Sequence, residues 1–203
     1  MVNALTVRDL TVTRGGVAVL SGLSFCVAAG QALVLRGPNG VGKTTVLRTI
    51  AGLQLPATGQ VICPVDRAYA AHADGLKPAL TVWENLMFWA RLHGDMPVEP
   101  ALMRMDLRGL ADRPAANLSA GQKRRLGLAR LLVTGAALWV MDEPTVSLDA
   151  AGVALFGQVL AEHLGAGGAA LIATHVDLGV AVAELDLTAY KAPQIDDFDM
   201  AFG

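Results

Sequence analysis

The stretch Gly37-Pro38-Asn39-Gly40-Val41-Gly42-Lys43-Thr44-Thr45 constrains this chain more than any other. It matches G-x-x-x-x-G-K-[ST], follows an apolar strand-like run from Ala32 to Leu35, and opens a helix-like run from Thr44 to Ala51. That strand–loop–helix context is what a phosphate-binding loop requires. Its glycines let backbone N–H groups turn inward around phosphate oxygens. The helix behind it adds the positive end of its dipole. Lys43 is then placed to reach β- and γ-phosphates, and the Thr44 hydroxyl to ligate Mg2+. A glycine-rich turn that binds nothing would not need strand, loop and helix in this order.

Bulk properties narrow the classes. A chain of 203 residues suffices for one domain with a sizeable core. The formal net charge of -2 gives no general basic field, so no nucleic-acid partner is expected. Hydrophobic residues make up 53% and the mean hydropathy is +0.46. Yet no apolar run approaches the ~20 residues of a membrane span; the longest, Leu131 to Met141, contains Thr134 and Gly135. The first ten residues carry Arg8 and Asp9 and lack a signal-peptide pattern, so a cytosolic position is expected. Cys26 and Cys63 are isolated and are expected to be core thiols.

Taken in order, residues 4–13 and 17–28 read as strands around Arg14-Gly15-Gly16, a hairpin signal. The strand to Leu35, the phosphate loop and its helix follow. Gly52 to Gly59 reads as a loop, and Val61 to Cys63 and Arg67 to Ala71 as short strands. Residues 81–134 read as mostly helical. The run Ala137 to Asp142 is too short for most helices and reads as a buried strand. A helix is expected at about 150–165, a strand at Ala169 to Thr174, a helix near 176–184 and a last strand at Leu185 to Tyr190. The pattern implies an α/β fold: a mainly parallel core sheet with N-terminal antiparallel strands and an inserted helical subdomain. One domain is expected over 1–203, with 1–71 and 135–191 as its core and 72–134 inserted. The tail from 192 to 203, with Pro193, Asp196, Asp197 and Asp199, is expected to be loose.

Two further stretches carry chemistry. Leu138 to Glu143 is an apolar strand ending in two carboxylates, and ligands of open α/β sheets bind at such strand ends. Asp142 is placed to hold Mg2+, and Glu143 to polarise a water as general base. Standing alone, the pair would read as a solvated acidic turn into Pro144. Upstream, Leu118-Ser119-Ala120-Gly121-Gln122 has capping-box spacing between Ser119 and Gln122, so a helix should start there. Its plain reading is a capped helix with Lys123, Arg124, Arg125 and Arg130 partly solvated. Its sharper reading is a second anion site, serving a nucleotide held by another copy.

The phosphate loop, Leu118 to Gln122, Asp142-Glu143, Thr145 to Asp149, and His175 after Thr174 stand in the order of one family. Over roughly residues 4–190 the chain resembles the ATP-binding subunits of ATP-binding-cassette (ABC) transporters. The resemblance implies the P-loop NTPase fold of that family, with ATP and Mg2+ as cofactors. It implies a head-to-tail dimer with a second copy, each ATP lying between one phosphate loop and the opposing Ser119, Gly121 and Gln122. Glu143 and His175 would be the catalytic pair, with His175 at the γ-phosphate. Thr44 and Asp142 would hold the metal, and Asp149 would couple the two sites.

Some positions depart from the family. Arg14 stands where an aromatic residue usually underlies adenine; it can stack on the base, or it is only an exposed turn charge. His72 occupies the position of the Q-loop glutamine and is a pH-sensitive substitute. Ala120 and the pair Val146-Ser147 are milder changes.

Within the family, His72, Ala120, Leu80 to Leu86 followed by Phe88-Trp89, and Leu118 to Leu131 resemble the ATPase of bacterial cytochrome c maturation, historically called the haem exporter. That likeness implies integral membrane partners resembling CcmB and CcmC, the chaperone CcmE downstream, and a peripheral place on the cytoplasmic face of the inner membrane. No C-x-x-C-H site is present, and His93 and His163 are expected at the surface. Other readings are the ATPase of a different ABC exporter, a soluble ABC mechanoprotein acting on DNA or ribosomes, and a P-loop kinase. Thr81 and Glu84 have capping-box spacing. The helix they open puts Val82, Leu86 and Trp89 on one face and Trp83, Met87 and Phe88 off it, so it must be covered on more than one side. Either the inserted helices cover both sides or, as the resemblance implies, a membrane subunit docks there, beside His72.

Overall fold

The structure, a computed structural model, describes residues 3–193. Two long strands, β1 (Asn3–Arg14) and β2 (Val17–Ala28), form the expected hairpin, with Arg14 paired to Val17 across the turn. Gly15 and Gly16 both have positive φ, +60° and +84°, as the favoured two-residue hairpin turn demands. A third strand, β4 (Thr58–Ile62), pairs antiparallel with β1 to complete a three-stranded sheet.

The second sheet has five strands, ordered β5 (Arg67–Ala70), β6 (Leu138–Asp142), β7 (Ala169–Ala173), β3 (Ala32–Arg36) and β8 (Ala183–Asp186). All of its pairings are parallel. Its central strands alternate between two cores. Trp139 and Met141 of β6 point into one, Leu138 and Val140 into the other. The first core is covered by α2 (Val82–Leu92), α3 (Val98–Arg104), α4 (Ala120–Val133) and α5 (Ala150–Gly165). The second is covered by α1 (Lys43–Ile50) and the β1–β2 hairpin. Strands buried on both faces explain why Ala32 to Leu35 and Leu138 to Met141 read as continuous apolar runs. No helix among the described residues is long and apolar enough to cross a membrane.

Several expectations are corrected. There is no helix near 176–184. Asp177 instead accepts a hydrogen bond from the Gly179 N–H at 2.9 Å, and Gly179 has φ +68°, so side-chain turn chemistry displaces the helix. The last strand begins earlier and stops at Asp186, whose carboxylate accepts from the Thr188 N–H at 2.8 Å and starts a 3-10 turn, Leu187–Tyr190. Cys26 is exposed and Cys63 only half-buried, because Cys26 lies on the outward face of the edge strand β2. His163 is half-buried and stacks on Trp139, ring centroids 3.8 Å apart. Arg124 is buried rather than solvated. The expected loose tail, with Asp196, Asp197 and Asp199, lies outside the described residues.

Candidate functional site

The sheet order decides where the chemistry gathers. Strands β6, β7 and β3 are neighbours, and their carboxyl ends lead into Glu143, Thr174-His175 and the phosphate loop respectively. A cavity of about 630 Å³ opens there, lined by Asn39, Gly40, Lys43, Thr44, Thr45, Asp142 and Glu143, with Arg14 and Gly15 from the hairpin turn. Its volume fits a small-molecule ligand.

The loop is shaped by its glycines. At Gly42, φ is +120° and a Cβ would lie 2.9 Å from Leu20, so β2 excludes any side chain there. Gly42 is also the N-cap of α1 and supplies no side-chain cap, so the first amides of the helix are left open to an anion. Val41 turns inward and is buried, its Cγ1 packed under Gly37, while Pro38, Asn39 and Gly40 are exposed.

Five side chains converge beside that loop. Lys43 Nζ donates to the Gly37 carbonyl at 2.6 Å and lies 3.3 Å from His175 Nε2. His175 Nε2 lies 3.7 Å from Glu143 Oε1. Thr44 Oγ1 donates to Asp142 Oδ2 at 2.8 Å. A hydroxyl and a carboxylate held together in this way form a hard oxygen donor set. Arg36, at the end of β3, donates to the Thr174 carbonyl and pairs with Glu184 at 2.6 Å, which fixes the turn before His175. Asp142 also contributes to raising the Tyr69 phenol to about 12, after burial itself.

Other expected residues stand apart. Ser119 and Gln122 form the expected capping box at the start of α4, but neither they nor Gly121 line the cavity. Gly121 instead abuts the Ser147 carbonyl, 3.0 Å from where its Cβ would be. Asp149 caps α5 by accepting from the Gly152 N–H at 2.8 Å. His72 is exposed and outside the cavity. Sequence reasoning missed Thr13, Arg48 and Gln54, which also line it. Gln54 is held by donating to the Thr13 carbonyl at 2.6 Å; no sequence motif marks it.

The helix from Thr81 carries the expected box, with Thr81 accepting from the Glu84 N–H. Val82 and Leu86 are fully buried with Ala90, while Trp89 is only half-buried. Trp83 and Met87 also pack on the core, and Phe88 is 41% exposed beneath the Lys77 ammonium. Alongside lies an apolar hollow of about 330 Å³, bordered by Leu53, Arg67, Trp89 and Arg130.

The model of the family described as ABC transporter matches residues 20–146. This chain belongs to that family. As an ABC ATP-binding subunit it binds nucleotide, and it is an ABC-type ATPase. Two curated ABC relatives carry the name cytochrome c biogenesis ATP-binding export protein CcmA. The one from Rhodobacter capsulatus is 66% identical over 93% of this chain and 89% of its own length. The one from Ruegeria pomeroyi is 58% identical over 98% of each. Among solved structures, an ABC-transporter ATP-binding protein from Pyrococcus furiosus superposes with a TM-score of 0.83 at 26% identity, over 93% of this chain and 99% of that one. CbiO1 of Clostridium perfringens, part of the ABC transporter complex CbiONQ, superposes with a TM-score of 0.73 at 27% identity, over 86% and 79%.

Proposed function

We propose that this chain is the ATP-hydrolysing subunit of an ABC complex that serves cytochrome c maturation at the cytoplasmic face of the inner membrane. The observation that carries the reading is the convergence of Lys43, Thr44, Asp142 and Glu143 on one cavity, with His175 beside Lys43 and Glu143. The high identity to CcmA proteins supports the choice of system.

The triphosphate lies along the Gly37–Thr45 loop, its charge met by backbone amides, the α1 dipole and Lys43. Lys43 exchanges its loop carbonyl for phosphate oxygens. Glu143 takes the proton of the attacking water, and His175 donates a hydrogen bond to the γ-phosphate. Thr44 and Asp142 suit Mg2+, which when bound would neutralise charge on the phosphates. Ser119, Gly121 and Gln122 lie away from their own cavity, which fits a dimer in which each serves the other copy's ATP, with Asp149 between the sites. Arg14 meets the base. The helical segment 72–134, entered at His72, acts as the inserted subdomain within a single domain.

The membrane partners are subunits resembling CcmB and CcmC. They dock at the hollow beside Trp89 and at the exposed Phe88, next to the segment that carries His72. Co-purification tests this with tagged chain expressed with CcmB and CcmC in detergent. Phe88→Ala should leave ATP binding intact and lower the recovery of CcmB several-fold. Unchanged recovery would put the docking surface elsewhere, and no recovery with the unaltered chain would remove the cytochrome c assignment.

A further inference from the structure

Arg124 lies on α4, two residues beyond Gln122, and is 3% exposed. One edge of its guanidinium faces the catalytic strand end. Nε donates to the Pro144 carbonyl at 2.9 Å, and Nη2 to the carbonyls of Asp142 at 3.2 Å and Glu143 at 2.7 Å. Nη1 faces the segment after β5: the carbonyls of Ala71 at 2.9 Å and His72 at 3.2 Å, and Asp74 Oδ1 at 2.9 Å. All the donors of a planar fork are thereby used, across two segments that no other side-chain hydrogen bond among the described residues joins in this way.

The residue it holds is strained. Glu143 has φ +47°, a left-handed conformation that a non-glycine residue rarely adopts. Such a backbone persists only where its surroundings over-determine it. The Glu143 N–H donates to the Ala173 carbonyl at 2.8 Å, and its carbonyl accepts from Arg124 at 2.7 Å and from the Val146 N–H at a longer 3.3 Å. Losing the Arg124 bond leaves that carbonyl only the longer Val146 contact, so the backbone can relax and the carboxylate can swing.

A second feature of α4 points the same way. Gly127 sits one turn beyond Arg124 on the same helix face, inside a helix where glycine is disfavoured relative to alanine. A Cβ there would lie 2.8 Å from Asp74 Oδ1 and 3.1 Å from Asp74 Cβ. The glycine makes the space in which Asp74 meets Arg124. Arg124 is buried and Asp74 is the carboxylate that balances its charge, so loss of one partner of this pair is strongly unfavourable.

We propose that Arg124 is a positioning residue for hydrolysis, setting the attitude of Glu143 and tying it to the segment Ala71–Asp74, so that a shift of that segment reaches the carboxylate through one side chain. This rests on the reading of Glu143 as the base.

Steady-state ATP hydrolysis by the purified full chain tests this. Arg124→Lys keeps the charge but has three donors and no planar fork. It should lower kcat at least about tenfold while KM for ATP stays within about twofold. Gly127→Ala leaves Arg124 intact and displaces only Asp74, and should lower kcat about three- to tenfold at unchanged KM. Wild-type kcat in Gly127→Ala overturns the proposal. So does unfolding of both variants, or a fall in ATP affinity that matches the fall in kcat, since each marks a scaffold residue. If only Arg124→Lys fails to fold, Gly127→Ala decides. Glu143→Gln, run alongside, separates the two readings. If it still hydrolyses ATP, Glu143 is not the base. If it is inactive while Gly127→Ala is normal, only the role of Arg124 falls.

Discussion

Lys43 Nζ lies 3.3 Å from His175 Nε2, so the cation of the phosphate loop and the histidine beyond β7 already share one site. The ammonium is held there by the Gly37 carbonyl, a neutral partner that a phosphate oxygen can replace. Lys43→Ala should therefore weaken ATP binding by about ten- to a hundredfold, the range of a charge-assisted hydrogen bond of about 1.5–3 kcal/mol. Titration calorimetry with ATP and Mg2+ measures it; unchanged affinity would remove Lys43 from the site.

Glu143→Gln should keep nucleotide affinity and slow hydrolysis by at least about a hundredfold, the contribution of a positioned base. With hydrolysis blocked, ATP should hold two copies together through Ser119 and Gly121. Light scattering with and without ATP reports the change in mass, and a monomer under both conditions contradicts the two-copy site.

Arg14 is exposed at the cavity rim, and no shape there forces it onto a base. Stacking at an exposed site is worth about 0.5–1 kcal/mol. Arg14→Ala should thus weaken ATP about two- to fivefold and leave inorganic triphosphate unaffected. Equal effects on both ligands would make it a turn charge alone.

The hairpin turn and the phosphate loop were legible because their determinants are local: Gly15-Gly16 fixes one turn, and Gly42 with Lys43 fixes the other. Asp142 and Glu143 were legible from the apolar strand that precedes them, and both capping boxes from spacing alone. The surroundings of Arg124 were not legible. It sits in a run with Lys123 and Arg125, and its partners come from segments far away in sequence. Arg36 and Gln54 escaped for the same reason. The segment 176–184 was misread because its apolar spacing suits a helix, while Asp177 and Gly179 favour a turn.

His163 stacks on Trp139 with an interplanar angle of 7°, and burial holds its pKa below the usual 6.5. A folded pKa below the unfolded one means that its contribution is complete above pH 6.5 and is lost as pH falls below it. Thermal midpoints at pH 7.5 and 5.5 should therefore differ more in the wild-type chain than in His163→Phe, which keeps a ring on Trp139 and removes the titration. Equal differences would show that His163 does not contribute to acid sensitivity.

Ser119 Oγ accepts the Gln122 N–H at 3.2 Å while the Gln122 side chain accepts the Ser119 N–H at 2.9 Å. This closed ring has a consequence beyond starting a helix. A hydroxyl that accepts from the backbone still has its own hydrogen to give, and Ser119 is exposed. The rotamer freedom of that side chain is lost when the chain folds, not when a ligand arrives. An approaching anion would meet a donor already aimed, and recognition there would carry little further ordering cost.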